Sequence, residues 1–190
     1  SFTDDPTRLL RAVRYEQRLG FAIEDDTLQC LREAVNPVNQ GSIETVTGDR
    51  WRHELDKILD EDAPGPALVR ALELGLLSAV HPALNDGGGL DRLAQWEVAR
   101  GIKGSPADYL AALVYSVASS SVEPFIRRLN LPRHQAGLVR DTIAIRDDEA
   151  RLGDPAMRPS ELADALDAKD PAAVSATTKL AGTSSLGQNL

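Results

Sequence analysis

An all-α fold is what this sequence predicts, on three observations. Phe, Trp and Tyr together make up 4% of the 190 residues, while Ala, Leu and Arg recur throughout. That composition suits packed helices and is poor in the alternating β-branched and aromatic residues of a sandwich. Apolar residues return at steps of three and four in one segment after another, and proline or glycine commonly bounds those segments. Hydrophobic residues are 42% of the chain, enough to close the core of one fair-sized domain or two small ones.

The first helix is expected to start at Thr3 or Asp4, where a short oxygen-bearing cap, an acid and then Pro6 suit the free N–H groups of a first turn, and to end at Gly20. At ~100° per residue, Leu9, Leu10 and Val13 fall on one side. Asp4, Arg8, Arg11, Tyr15 and Arg18 gather on another, with Asp5 at its edge. One face is for packing and the other is densely cationic. After an apolar link at Phe21, Ala22 and Ile23, Asp25 or Asp26 caps a second helix that carries Leu28, Leu31 and Val35 and stops before Pro37.

A third helix begins near Thr47 and places Trp51, Leu55, Ile58 and Leu59 at helical spacing; the run from Asp62 to Pro66 is the best internal boundary. Further helices are expected over Pro66–Leu77, Leu90–Ile102, Pro106–Ala118, Glu123–Leu129, Pro132–Leu152 and Pro159–Ala168, with a loop from His81 to Gly89 and a break at Ser119–Ser121. The tail from Pro171 has many small polar residues and little bulky apolar periodicity, and is expected to be disordered over 171–190.

The formal net charge of −8 argues against a protein that coats nucleic acid non-specifically, since counterion release needs many cations against phosphates. The charge is unevenly spread, however. Arg8, Arg11, Arg14, Arg18, Arg32, Arg50, Arg52 and Lys57 crowd the first third, whereas acids such as Asp147, Asp148, Glu149, Asp154, Glu161, Asp164, Asp167 and Asp170 load the last. An anionic ligand is therefore expected near the N-terminal end. Cys30 is the single cysteine, so neither an intrachain disulfide nor a cysteine-built zinc site is expected, in keeping with a reducing cytoplasm. No leader and no membrane-length apolar run is present, so a soluble cytoplasmic protein without a membrane partner is expected. The opening SFTDD, without an initiator Met, suggests a natural start further upstream.

Asp5 and Arg8 stand three apart on the first helix, so their side chains are neighbours on one edge. A carboxylate beside a guanidinium fork can meet the Watson–Crick edge of a base: the acid accepts from an exocyclic amine, and the guanidinium donates to the adjacent ring nitrogen or carbonyl. Cytosine and adenine fit; guanine and uracil set a carbonyl against the carboxylate. Arg11 and Arg14 follow at further three-residue steps, and their permanent charge suits phosphates. By spacing alone the pair is more simply an ordinary surface ion pair, worth ~0.2–0.5 kcal/mol.

The run DDPTRLLRAVRYEQRLGF, however, closely resembles the base-template motif of class II tRNA nucleotidyltransferases (CCA-adding enzymes) and their bacterial poly(A) polymerase relatives, usually written EDxxR and followed by LRAxRF and a Gly-Phe-type ending. The resemblance continues through Thr47-Gly48-Asp49-Arg50, Glu54-Leu55, Lys57-Ile58-Leu59 and Leu74-Gly75-Leu76-Leu77, and is strong to about Leu84. It implies the helical neck and body of such an enzyme, with a neck over 1–63 and a body and tail over 64–190. Asp5 and Arg8 would pair with incoming CTP or ATP, Arg11 and Arg14 would bind the nucleotide, and Arg50 and Glu54 would brace the neck helices.

Asp4 stands where the family usually has Glu, a side chain one methylene shorter that would weaken a supporting contact. The family's catalytic head, with its glycine-rich loop and metal-binding aspartates, is not in this sequence. No catalytic or metal-ligating residue is therefore assigned, and this piece alone is expected to be inactive. The resemblance implies nucleotide addition to the 3′ end of tRNA or another RNA, with ATP and CTP as substrates. Its Mg²⁺ cofactor would be held by the chain's own N-terminal head. A poly(A) polymerase and a stand-alone RNA-binding or interaction module are the alternatives.

The remaining features point elsewhere. His53, His81 and His134 lie on separate elements without metal-site spacing, and Gly87–Gly89 lacks the strand and the Lys-Ser or Lys-Thr of a phosphate loop. Trp51 and Trp96 are spaced as core residues, and Asp147, Asp148 and Glu149 fan out around a helix as a solvated face. No serine has the flanking glycines of a nucleophile elbow.

Overall fold

A computed structural model describes residues 5–36 and 46–182. Every regular element among them is a helix, as the composition predicts. The chain divides into two packing units: residues 1–86 with 123–131, and residues 87–122 with 132–190. The boundary expected near Ala63 falls within the first of these units.

In the first unit, helices α1 (Arg8–Leu19), α2 (Asp25–Val35), α3 (Gly48–Leu59), α4 (Pro64–Glu73) and α5 (Leu76–Val80) pack with the latter part of α8 (Ser119–Leu129). α1 buries Leu9, Leu10 and Val13 completely and lies against both α3 and α4. Trp51, Leu55 and Ile58 of α3 are buried too, so the apolar stripes read from spacing do face inward. Trp51, 1% exposed, is a core residue with no face to offer a base.

Helix α1 begins at Arg8, later than expected. The residue before a proline is pushed out of the α region, so Asp5 is held off helical geometry by Pro6. A turn over Pro6–Thr7 leads in, with the Arg8 amide donating to the Asp5 carbonyl at 3.1 Å. The expected helix over Pro66–Leu77 is two helices, because Gly75 adopts φ +72° and turns the chain between α4 and α5. Such a backbone suits a residue without a Cβ.

The second unit holds α6 (Gly88–Arg100), α7 (Pro106–Val114), α9 (Arg133–Asp147), α10 (Glu149–Leu152), α11 (Pro159–Asp167) and α12 (Pro171–Ala181). α7 is its centre, touching α6, α9 and α12, which is why Asp108–Val114 are buried on every side. The expected loop ends at Gly87, one residue before α6. The three serines at 119–121 open α8 instead of breaking a helix.

The tail corrects the largest expectation: 171–181 is a packed helix. Ala173, Ala176, Thr177 and Leu180 recur at helical spacing and are buried. Their small side chains let α12 lie close to its neighbours, and Asp170 caps it by accepting from the Ala172 amide at 2.8 Å. Residues 183–190 lie outside the described residues. No described helix is long and apolar enough to cross a membrane.

Candidate nucleotide-binding site

The two neighbouring helices α1 and α3 bring opposite charges together along their shared edge. Asp5, at the entry to α1, accepts through Oδ1 from the Thr7 hydroxyl at 2.6 Å, from the Thr7 amide at 3.2 Å and from Arg50 Nη2 of α3 at 2.8 Å. Its Oδ2 lies 3.8 Å from Arg8 Nε, and the Arg8 side chain is 51% exposed. The acid and the guanidinium therefore stand side by side, the guanidinium exposed and the carboxylate partly covered at 19% exposed. The Thr7 hydroxyl bond, with the Arg50 charge, outweighs burial and holds the Asp5 carboxyl below the usual range. It is an acceptor, not a donor, at neutral pH.

One turn along, Arg11 Nη2 donates to Glu54 Oε1 at 2.8 Å, and Lys57 Nζ donates to the same oxygen at 2.9 Å. Glu54 is 4% exposed. Burial alone would raise its pKa, but the bonds from Arg11 and Lys57 prevail and lower it. That bond in turn raises the Arg11 pKa, and about a third of the Arg11 side chain remains exposed. A lowered carboxyl stabilises the fold above its unfolded pKa and loses that contribution as the pH falls through its folded value. Glu54→Gln should therefore cost about 2 kcal/mol at neutral pH, with the difference from the parent closing as acid protonates Glu54. Thermal unfolding of both proteins across that range checks it, since every other carboxylate titrates in both.

Arg14 is placed differently. Its side chain is buried, donating to Glu61 Oε1 at 2.8 Å, with the guanidinium 4.7 Å from the centre of the Tyr15 ring. Arg18 Nη1 approaches the same Glu61 oxygen at 3.7 Å from the exposed end of α1. The structure thus gathers Asp5, Arg8, Arg11, Arg50 and Glu54 and leaves Arg14 inside the fold as a strut. Asp4 lies outside the described residues. Thr7 and Glu61 went unnoticed in the sequence; the Asp-Pro-Thr order was the available sign for Thr7, since an aspartate readily bonds the backbone two residues on.

Each acid of this edge is neutralised by a guanidinium or ammonium group, which is no seat for a divalent cation. Among the described residues no group of three His, Cys, Asp or Glu converges to hold a metal, and the residues present do not fit Mg²⁺. His81 is a half-buried packing histidine: its ring packs edge-on against Phe125 with centres 5.5 Å apart, and burial pushes its pKa down.

Residues 20–87 match the family described as "Probable RNA and SrmB- binding site of polymerase A". Among curated proteins, the chain is 44% identical over 84 residues to an A-adding tRNA nucleotidyltransferase of Geobacter sulfurreducens, covering 44% of this chain and 9% of that protein. It is 28% identical over 169 residues to a multifunctional CCA protein of Neisseria gonorrhoeae, covering 82% of this chain and 40% of that one. The chain therefore spans less than half the length of these relatives. Among solved structures, a CCA-adding enzyme in complex with ATP superposes with a TM-score of 0.72 at 24% identity, covering 98% of this chain and 46% of that one. The Thermotoga maritima CCA-adding enzyme complexed with tRNA gives 0.71 at 24% identity, covering 98% and 47%. At that identity the likeness is one of fold.

Proposed function

We propose that the chain is part of the helical C-terminal region of a class II CCA-adding nucleotidyltransferase, a reading its matches support, and that it selects the incoming nucleotide and helps bind RNA during tRNA 3′-terminal addition. The observation that carries the reading is the Asp5–Arg8 pair, adjacent at the entry to α1 with Arg8 exposed and Asp5 partly so. The Asp5 carboxylate accepts from the exocyclic amine of CTP or ATP, and Arg8 donates to the neighbouring ring nitrogen or carbonyl. Guanine or uracil sets one acceptor against another there, and a polar group left unpaired on binding costs about 1–3 kcal/mol. Arg11, partly exposed and already tethered to Glu54, supplies positive charge for the triphosphate. Arg14 contributes by holding α1 on Glu61. Chemistry belongs to a catalytic head acting with this chain, which brings Mg²⁺ and the RNA 3′ end to the selected base.

The test is incorporation by this chain joined to its catalytic head. Asp5→Ala and Arg8→Ala each lower the preference for C or A over G or U by roughly tenfold or more, with the KM for RNA little changed. Unaltered base preference in both variants refutes the reading.

A further inference from the structure

Thr7 occupies the N-cap position of α1, where a threonine hydroxyl ordinarily accepts from an amide of the first turn. It makes no such bond here. Its hydroxyl instead donates backwards to Asp5 Oδ1 at 2.6 Å, beside the Thr7 amide and Arg50 Nη2 on the same oxygen. Thr7 is 2% exposed, so it cannot touch a nucleotide itself. Asp5 Oδ2 makes only the longer approach to Arg8 among the described residues. One oxygen is thus saturated by three donors while the other faces the guanidinium.

We infer that Thr7 is a positioning residue for base selection: its buried hydroxyl, helped by Arg50, clamps Oδ1 of Asp5 so that Oδ2 is the oxygen presented to the exocyclic amine. This rests on the base-reading role of Asp5 and Arg8. The physical reason is orientational. A free aspartate samples several rotamers and can offer either oxygen, or neither, to a ligand, whereas three donors converging on one oxygen leave a single orientation. The pair is then preorganised before nucleotide arrives, and discrimination depends on an acceptor standing at one defined point beside Arg8. A hydroxyl that served only to begin the helix would have been spent on the first-turn amides.

Thr7→Val preserves shape and removes the hydroxyl. In this chain joined to its catalytic head, it should lower the preference for C or A over G or U by roughly tenfold with the KM for RNA unchanged, and Thr7→Ser should restore the preference. Asp5→Ala in the same assay separates the two claims. If Asp5→Ala relaxes base choice and Thr7→Val does not, the positioning role falls and the base reading stands; if neither relaxes it, both fall. A second readout needs no catalysis. The Asp5 carboxyl is faced by Arg8, Arg11 and Arg50, all permanently charged, so the hydroxyl is the one group whose removal by Thr7→Val leaves those charges in place. Carbon-detected NMR titration of this chain should show the Asp5 pKa rising toward the ordinary carboxylate value in Thr7→Val and staying low in Thr7→Ser. Thr7→Ala takes the place of the valine variant if that one fails to fold. An Asp5 titration unmoved by loss of the hydroxyl overturns the inference.

Discussion

Gly48→Ala should be among the most damaging single changes in the first unit. A Cβ at this position would lie 2.0 Å from the Arg128 carbonyl oxygen and 2.9 Å from its carbon, and both are backbone atoms that no rotamer change can move. The contact seats the first turn of α3 on the end of α8. Around it, Arg52 donates to the Asn130 carbonyl, Arg128 Nη1 donates to the Val46 carbonyl at 3.0 Å, and Asn130 Nδ2 donates to Asp49 Oδ1 at 3.0 Å. Displacing α3 therefore breaks several bonds at once, and a cost of about 3 kcal/mol is expected. For a unit of this size that is a fall of roughly 10–20 °C in its melting temperature. The effect reaches the site as well, because α3 carries Arg50 and Glu54, the partners of Asp5 and Arg11. Thermal unfolding is the measurement, and a Gly48→Ala protein that melts with the parent contradicts the close approach.

Asp108→Ala should weaken the second unit by about 4 kcal/mol. Asp108 is 2% exposed, and its Oδ2 accepts from the Ser105 amide at 2.7 Å, the Ser105 hydroxyl at 2.8 Å and Lys179 Nζ at 2.6 Å. The same carboxylate closes the capping box of α7 and ties that central helix to α12. Its removal leaves an ammonium 22% exposed, over the Trp96 ring at 5.1 Å, with no counter-charge. Lys179→Met in the Asp108→Ala background removes that stranded charge, so the double variant should melt above the sum of the two single losses. Strict additivity would show that the two groups do not work as a pair.

Much of the fold was legible because helical spacing of bulky residues is a local property. Leu9, Leu10 and Val13, or Trp51, Leu55 and Ile58, declare a buried face in their order alone. Small-residue packing was not legible. Ala173, Ala176 and Thr177 have the right period, but alanine's burial is meaningful only where another helix comes close, so α12 looked like a loose tail. Ser119–Ser121 misled for a related reason: serine is as much at home in a helix's first turn as in a break.

At the candidate site, Asp5 and Arg8 could be paired from sequence because residues three apart are neighbours across a single turn, although that turn leads into α1 and is not part of it. The order of residues by itself determined an all-helical chain, a cationic α1 and the place where an acid meets a guanidinium. Only the tertiary structure decided that Arg14 is buried on Glu61 while Arg8 stays exposed, and that Arg50 and Thr7 hold one oxygen of Asp5. Apart from the local Thr7 bond, those outcomes depend on how α3 and the residues after it lie against α1, through contacts some forty-five residues apart in the chain that no local period encodes.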